Sequence, residues 1–403
     1  MSDFETAVLI FGTLLMAGAL LSRLARRSFL SLTALFVVAG FLLGEGGLAV
    51  LAFDPRSELV VDLATVALIV ILFRDGLEVE SEMLQTAWRI PLRKLVLAMP
   101  ITAGLIAVAT HALTDLSWTE AFLLGALLSP TDPVLSSSVV TNPKVPRLIR
   151  HSLNLESGMN DGLALPAVLA LSAALGADDG DFTWWRFVLA DVSLGLAFGV
   201  LAGLLAARLL PGARDPERER SPHELSLYAL GVALATYGVA LAAPEGNGLI
   251  AVFVCAITLG ILRPDVRDAF ERRAEDVVEL VKLGVFLVFG SLLTVGGLFA
   301  DGWAAVGLAA LTLLAARPIA LWLALAGARV DNATKAFMAW FGPKGVATMT
   351  FSLLVLSSSI AQGERIFNLA ALVVFCSIVL HGLTDTPGVS WIARRAERQR
   401  RPA

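Results

Sequence analysis

Apolar residues fall along this chain in runs about as long as a bilayer's hydrocarbon core is thick, separated by short polar loops. A helix that crosses such a core needs about 20 mostly apolar residues. Runs of that kind recur near 4–22, 29–51, 59–75, 92–113, 119–140, 147–176, 184–210, 224–243, 247–263, 276–299, 303–327, 334–361 and 366–388. The pattern predicts an all-α polytopic membrane protein of about thirteen transmembrane helices, with no soluble domain. The first run reads as a span rather than a cleaved signal, because Asp3 and Glu5 stand where a signal peptide needs positive charge.

Composition supports the pattern. Of 403 residues, 57% are apolar and only 16% are charged, against about 25% charged in an average soluble domain. Mean hydropathy is +0.76. A formal net charge of −4 excludes the basic surface of a nucleic-acid binder. Cys255 and Cys376, both inside apolar runs, exclude a disulfide-rich scaffold.

The placement of charge carries more than its sum. With the amino terminus outside, 25 of the 31 Lys and Arg residues fall in inner loops or the carboxyl-terminal tail. These include Arg74, Arg89, Arg93 and Lys94, whereas the outer loops hold only Arg56, Arg186 and Arg365. That is the positive-inside bias, and it predicts a cytoplasmic carboxyl terminus in the cell (inner) membrane. Lys282, Arg317 and Lys344 remain inside spans. Trp88, Trp118, Trp184, Trp185, Trp303 and Trp391 sit near span ends, as an interfacial belt requires.

Two spans are interrupted. AFLLGALLSPTDPVLSSSVV carries Pro130, Thr131, Asp132 and Pro133 at its middle, and AWFGPKGVATMTFSLL carries Gly342, Pro343, Lys344 and Gly345. Prolines at these places remove donors and break the helix. The freed backbone groups are tolerated at membrane depth only where protein or water satisfies them. The two breaks are seven spans apart, an odd number, so their helices run in opposite directions. That is the mark of an inverted repeat, whose matching broken helices point to the transport site. Crossed half-helices bring together ends carrying roughly +0.5 and −0.5 charge. Asp132 is expected to balance the amino ends and Lys344 the carboxyl ends.

The span LNLESGMNDGLALPAVLAL holds Glu156, Ser157, Asn160 and Asp161, which no lipid-facing helix would carry. Intramembrane carboxylates are costly and mark ion or proton paths. Ser157 and Asp161 lie four apart on one face, offering the oxygen ligands a hard cation prefers. Glu156 and Asn160 share the neighbouring face, where Arg317 or Lys282 could neutralise Glu156. Lys282 also stands three residues after Glu279, as a helical ion pair would. Asp191 has no visible partner in the sequence.

ESGMNDG at 156–162, SPTDP at 129–133, Arg317-Pro318 and GPKG at 342–345 together resemble the NhaP-type branch of the monovalent cation/proton antiporters, and the likeness extends over essentially the whole chain. The resemblance implies one sodium or lithium ion exchanged for one proton, an electroneutral reaction by elevator-like alternating access, in a homodimer that serves pH homeostasis. It implies that Asp161 binds cation and proton, that Thr131, Asp132 and Ser157 complete the site, and that Glu156 and Asn160 support it with Arg317 as charge partner. No enzymatic activity or cofactor is expected, and the partners are membrane lipid, monovalent cations and protons, with no nucleic acid. Lys344 stands where many members have arginine, and FRDGLEVE at 73–80 departs from the usual form of that segment, so no role is carried to it.

The expected organisation is one transporter domain over 1–403. Residues 1–91 and 224–300 form scaffold and dimerisation helices, 92–178 and 302–390 an ion-transporting core, and 184–210 a linking helix. Potassium/proton exchange on the same fold is the main alternative. A cation channel, or an intramembrane protease using Asp132 and Asp161 or a Ser/His pair, is more remote, since the sequence shows no repeated filter, no oxyanion hole and no Gly-x-Gly-Asp environment.

Overall fold

The computed structural model describes residues 3–25, 32–79, 88–132, 139, 142–176, 183–211, 221–242 and 247–400. Pro133, Ser136–Ser138, the acidic loop residues Asp178, Asp179 and Asp181 and several of the loop arginines lie outside the described residues.

Helices occur in every predicted apolar stretch. In order they are α1 (Asp3–Ala25), α2 (Leu32–Leu43), α3 (Glu58–Leu77), α4 (Arg89–Leu113), α5 (Trp118–Leu128), α6 (Arg147–Gly176), α7 (Trp184–Leu209) and α8 (Pro222–Ala242). They continue with α9 (Gly248–Leu262), α10 (Pro264–Arg273), α11 (Glu275–Ser291), α12 (Trp303–Ala324), α13 (Asn332–Trp340), α14 (Val346–Ser357) and α15 (Gly363–Arg400). Among the described residues, six helices are long and apolar enough to cross a membrane, α4, α6, α7, α8, α12 and α15, and the bent α9–α10 pair makes a seventh if it is one span. Others are short apolar helices, including α2, α5 and α14.

Several boundaries differ from the hydropathy pattern for local reasons. The run 29–51 is helical only to Leu43, because a glycine-rich turn at 44–47 lays backbone against backbone, with Glu45 N donating to Ser291 O at 3.0 Å. The chain bends by 114° between α9 and α10 at Arg263-Pro264, where the apolar pattern gives way to the charged, amphipathic PDVRDAFERR. The last helix runs through Pro387 to Arg400, beyond the predicted end at 388.

The apolar interior is centred on α3, which packs against α6, α9, α11 and α14. Phe36, Phe73, Phe286, Phe289, Phe351 and Phe367 are among its largest buried side chains, and the Phe289 and Phe367 rings meet edge to face at 5.1 Å. Helix α7 approaches α9 through Gly195, Gly199 and Gly203, whose missing side chains leave room for Ile250, Val254 and Thr258. This is the small-residue packing that membrane helices use in place of a hydrophobic driving force.

The inverted repeat relates α4, α5 and α6 to α12, the α13–α14 pair and α15. Its members share a detail that the sequence did not announce. α4 contains a π turn at Lys94–Ala98 and α12 one at Thr312–Ala316. Such single π turns concentrate at functional sites, and here each one adjoins a buried cation, Lys94 or Arg317.

Candidate ion-binding site

Helix α5 stops at Leu128 and the chain from Ser129 to Asp132 is non-helical; α13 stops at Trp340 and α14 begins at Val346. The two breaks cross in contact. Asp132 N donates to Pro343 O at 2.9 Å. Lys344 Nζ donates to Pro130 O at 3.2 Å and Ser129 O at 3.4 Å, placing its ammonium on the carboxyl end of α5. Asp132 Oδ2 accepts from Val346 N at 3.2 Å, placing its carboxylate on the amino end of α14. Each charge meets the helix end of opposite partial charge.

Helix α15 satisfies two more of the backbone groups at the second break. Lys344 N donates to Ser377 Oγ at 2.8 Å, and His381 Nε2 lies 3.0 Å from Trp340 O. His381 Nδ1 is 3.1 Å from Ser377 Oγ, and Trp340 Nε1 donates to Thr384 Oγ1 at 2.9 Å. Ser377, His381 and Thr384 follow one face of the helix. His381 is therefore a structural tie across the break rather than an open titrating group. Two glycines permit the crossing: a Cβ on Gly345 would lie 2.2 Å from Asp132 Cβ, and one on Gly342 would lie 2.1 Å from Arg317 Nε.

Helix α6 crosses beside the breaks with Glu156, Ser157, Asn160 and Asp161 all buried. Asn160 Nδ2 donates to Thr131 O at 2.6 Å and lies 3.2 Å from Thr131 Oγ1, fastening α6 to the first break. Arg317 grips Glu156 with both ends of its fork, at 2.8 and 3.2 Å, and also donates to Met338 O at 3.3 Å. Of the two cations the sequence offered to Glu156, the structure selects Arg317. Lys94 supplies a second, also bonded to Ser152 Oγ at 3.2 Å. Ser157 sits one helical turn before Asp161. Asp161 Oδ1 is buried without a hydrogen-bond partner, and its electrostatic neighbours are Asp75, Asp132 and Arg74.

Three buried charges escaped the reading of charges by loop. Arg74 and Lys94 count there as inner-loop residues, yet both are buried. A loop count cannot distinguish a cation that snorkels outward from one that turns inward near a span end. Asp75, only 1% exposed, was passed over with its segment. Its carboxylate accepts from Arg74 Nε at 2.9 Å and Nη2 at 2.6 Å, and it comes close enough to Asp161 for a side-chain hydrogen bond when one of them is protonated. The signal was present as an Arg-Asp pair at the end of the apolar run LIVILF.

Lys282 is likewise buried, but makes no ion pair with Glu279; its ammonium has no hydrogen-bond partner. Asp191 is half-buried in the π turn of α7, and nothing in the structure gives it a role. Among the described residues, no group of three or more His, Cys, Asp or Glu side chains gathers to hold a resident metal. The oxygens at the crossing suit a cation in transit.

Crossed broken helices with buried carboxylates between inverted repeats define a secondary transporter. The chain belongs to the sodium/hydrogen exchanger family, whose transmembrane model matches residues 11–391. It is thus a cation/proton antiporter, a transporter rather than an enzyme, working without a cofactor and embedded in a membrane by multiple spans. Over 395 residues it is 26% identical to the K(+)/H(+) antiporter NhaP2 of Shewanella oneidensis, covering 96% of this chain and 67% of that protein. It is 28% identical over 297 residues to the Na(+)/H(+) antiporter NhaG of Bacillus atrophaeus, covering 70% of this chain and 55% of that one. Its backbone is similar to that of the sodium proton antiporter MjNhaP1 of Methanocaldococcus jannaschii, with a TM-score of 0.82, 17% identity, and 97% and 99% of the two chains covered.

Proposed function

We propose that this antiporter exchanges one monovalent cation for one proton through a single site. Asp161 is the shared carboxylate, and Asp132, Thr131 and Ser157 surround it. Glu156, Asn160 and Arg317 hold the site's frame, and Lys344 and Asp132 hold the crossing. The observation that carries the reading is the buried Asp161 oxygen left without a partner beside the crossing. A buried polar atom in this position is costly unless a proton or cation fills the gap. Protonated, the carboxyl has no charge to hold a cation; ionised, it attracts one. If the site crosses only when loaded, exchange is compulsory. Asn160, a neutral amide beside Asp161, keeps the count at one charge for one and supports an electroneutral cycle.

Sodium or lithium is the cargo of the main reading. Potassium is the second, favoured by the names of the NhaP2 relatives. The protein sits in the cell membrane as a homodimer, with the amino terminus outside and the carboxyl terminus in the cytoplasm. Helices of 1–91 and 224–300 form the scaffold against which 92–178 and 302–390 move, with 184–210 as link.

The test is dequenching of a pH-sensitive dye in everted vesicles carrying a proton gradient. Added sodium, lithium or potassium collapses the gradient with the wild type and leaves it standing with Asp161→Asn. Exchange at the normal rate by Asp161→Asn would refute the single-site scheme, and the ranking of cations decides the cargo.

A further inference from the structure

Lys282 stands apart from every other buried cation at the site. Lys94 is bonded to Glu156 and Ser152, Arg317 to Glu156, Arg74 to Asp75, and Lys344 to two carbonyls. The Lys282 ammonium is enclosed, with 1% exposure, and donates to nothing. It projects from the inward stripe of α11, whose other members Val278, Val285 and Phe289 are apolar and buried. Burying an ammonium without partners costs many kcal/mol unless nearby anions repay it. The charged groups that face it are Arg74 and Asp75 on α3, Asp132 at the first break and Glu279 on its own helix. With Asp75 held by Arg74 and Glu156 by two cations, Lys282 is the positive charge not committed to any bond.

We propose that Lys282 is the resident counter-cation of the empty site, and that it sets the affinity for the transported ion by competing electrostatically with it for the carboxylates at the crossing. The lysine balances the acids when no cation is present. A cation entering beside Asp161 meets that charge and binds more weakly than the carboxylates alone would allow, so the site can release what it carries. Lys282 touches no reacting atom in this structure and is a positioning residue in this sense. The inference rests on the antiport reading above.

The test compares Lys282→Gln and Lys282→Arg with the wild type in proteoliposomes, with transport measured against cation concentration for sodium and potassium. Coupling between charged groups of this kind corresponds to roughly a fivefold or larger change in affinity. Lys282→Gln is expected to lower KM for the transported cation by at least about fivefold, with Lys282→Arg restoring the wild-type KM. Equal KM values in all three, with wild-type exchange intact, would overturn the proposal. Absent exchange in the wild type would instead sink the antiport reading. A second measurement needs no variant. Acylation of Lys282 by a small membrane-permeant anhydride, read by mass spectrometry, should rise at saturating cation relative to an N-methylglucamine control, because the arriving positive charge disfavours the ammonium and raises the share of neutral, nucleophilic amine. Labelling that ignores the cation would also count against the idea.

Discussion

Glu156 is a single anion shared by two buried cations, and this predicts an asymmetry among three substitutions. Arg317→Met removes one cation and leaves Glu156 paired with Lys94; Lys94→Met leaves it paired with Arg317. Glu156→Gln leaves two ammonium- and guanidinium-type charges facing a neutral amide and each other. At the 2.8 Å separation of Arg317 and Glu156, Coulomb's law with an effective dielectric near 20 gives a gross attraction of about 6 kcal/mol. Desolvation offsets much of this, and removing one partner of a buried pair costs about 3–5 kcal/mol net. That range is expected for Glu156→Gln. The single-cation variants create no orphaned charge, because Glu156 keeps its other cation, so their net cost is that of one charged interaction, about 1.5–3 kcal/mol. Unfolding of purified protein titrated with SDS in mixed micelles measures the order directly. If Glu156→Gln proves no less stable than Arg317→Met, the shared-anion account is wrong.

Other outcomes follow from the same contacts. Gly345→Ala places a methyl group 2.2 Å from Asp132 Cβ, where ordinary contact needs well over 3 Å, so the crossing must open; exchange should fall at least about tenfold, which is about 1.4 kcal/mol, while Ser352→Ala on the same helix should leave the rate nearly unchanged. Asn160→Asp replaces the amide that donates to Thr131 O at 2.6 Å with a group that repels that carbonyl when ionised; the expected result is slower exchange, and unchanged kinetics would refute it. At the start of α15, near the loops that precede α5 and α12, Arg365 joins Asp301, at 3.0 Å, to Asp115, at 2.6 Å. Its hydrogen bond holds the Asp115 carboxyl below the usual carboxylate range. A depressed value means the clasp contributes above the ordinary carboxylate pKa and is lost as pH falls through the folded one. Arg365→Gln should therefore weaken the protein at neutral pH and flatten the acid side of its thermal stability profile.

Much of this protein could be read from residue order. Hydropathy over runs of about 20 residues, loop charge and two proline-glycine interruptions lead to a membrane helix bundle with inverted repeats, because the bilayer forces every backbone donor and acceptor into a helix except where protein satisfies it. Asp132 and Lys344 could be placed at the helix ends through sign and position, since a helix end carries a fixed partial charge wherever it lies. The face shared by Ser157 and Asp161 follows from helical geometry alone.

What only the tertiary structure decided is which distant groups meet. Glu156 had two candidate cations in the sequence and took Arg317, together with a Lys94 that looked like an inner-loop charge. His381 and Ser377 tie off the second break, a pairing that no spacing in the sequence announces. Asp75 reached Asp161, and Lys282 reached no hydrogen-bond partner at all. Periodicity reports which way a side chain leaves its own helix axis, but the partner across the interface depends on how helices cross and slide, to within an ångström or two. That information resides in the packing of glycines such as Gly342 and Gly345 against their neighbours, and no single helix contains it.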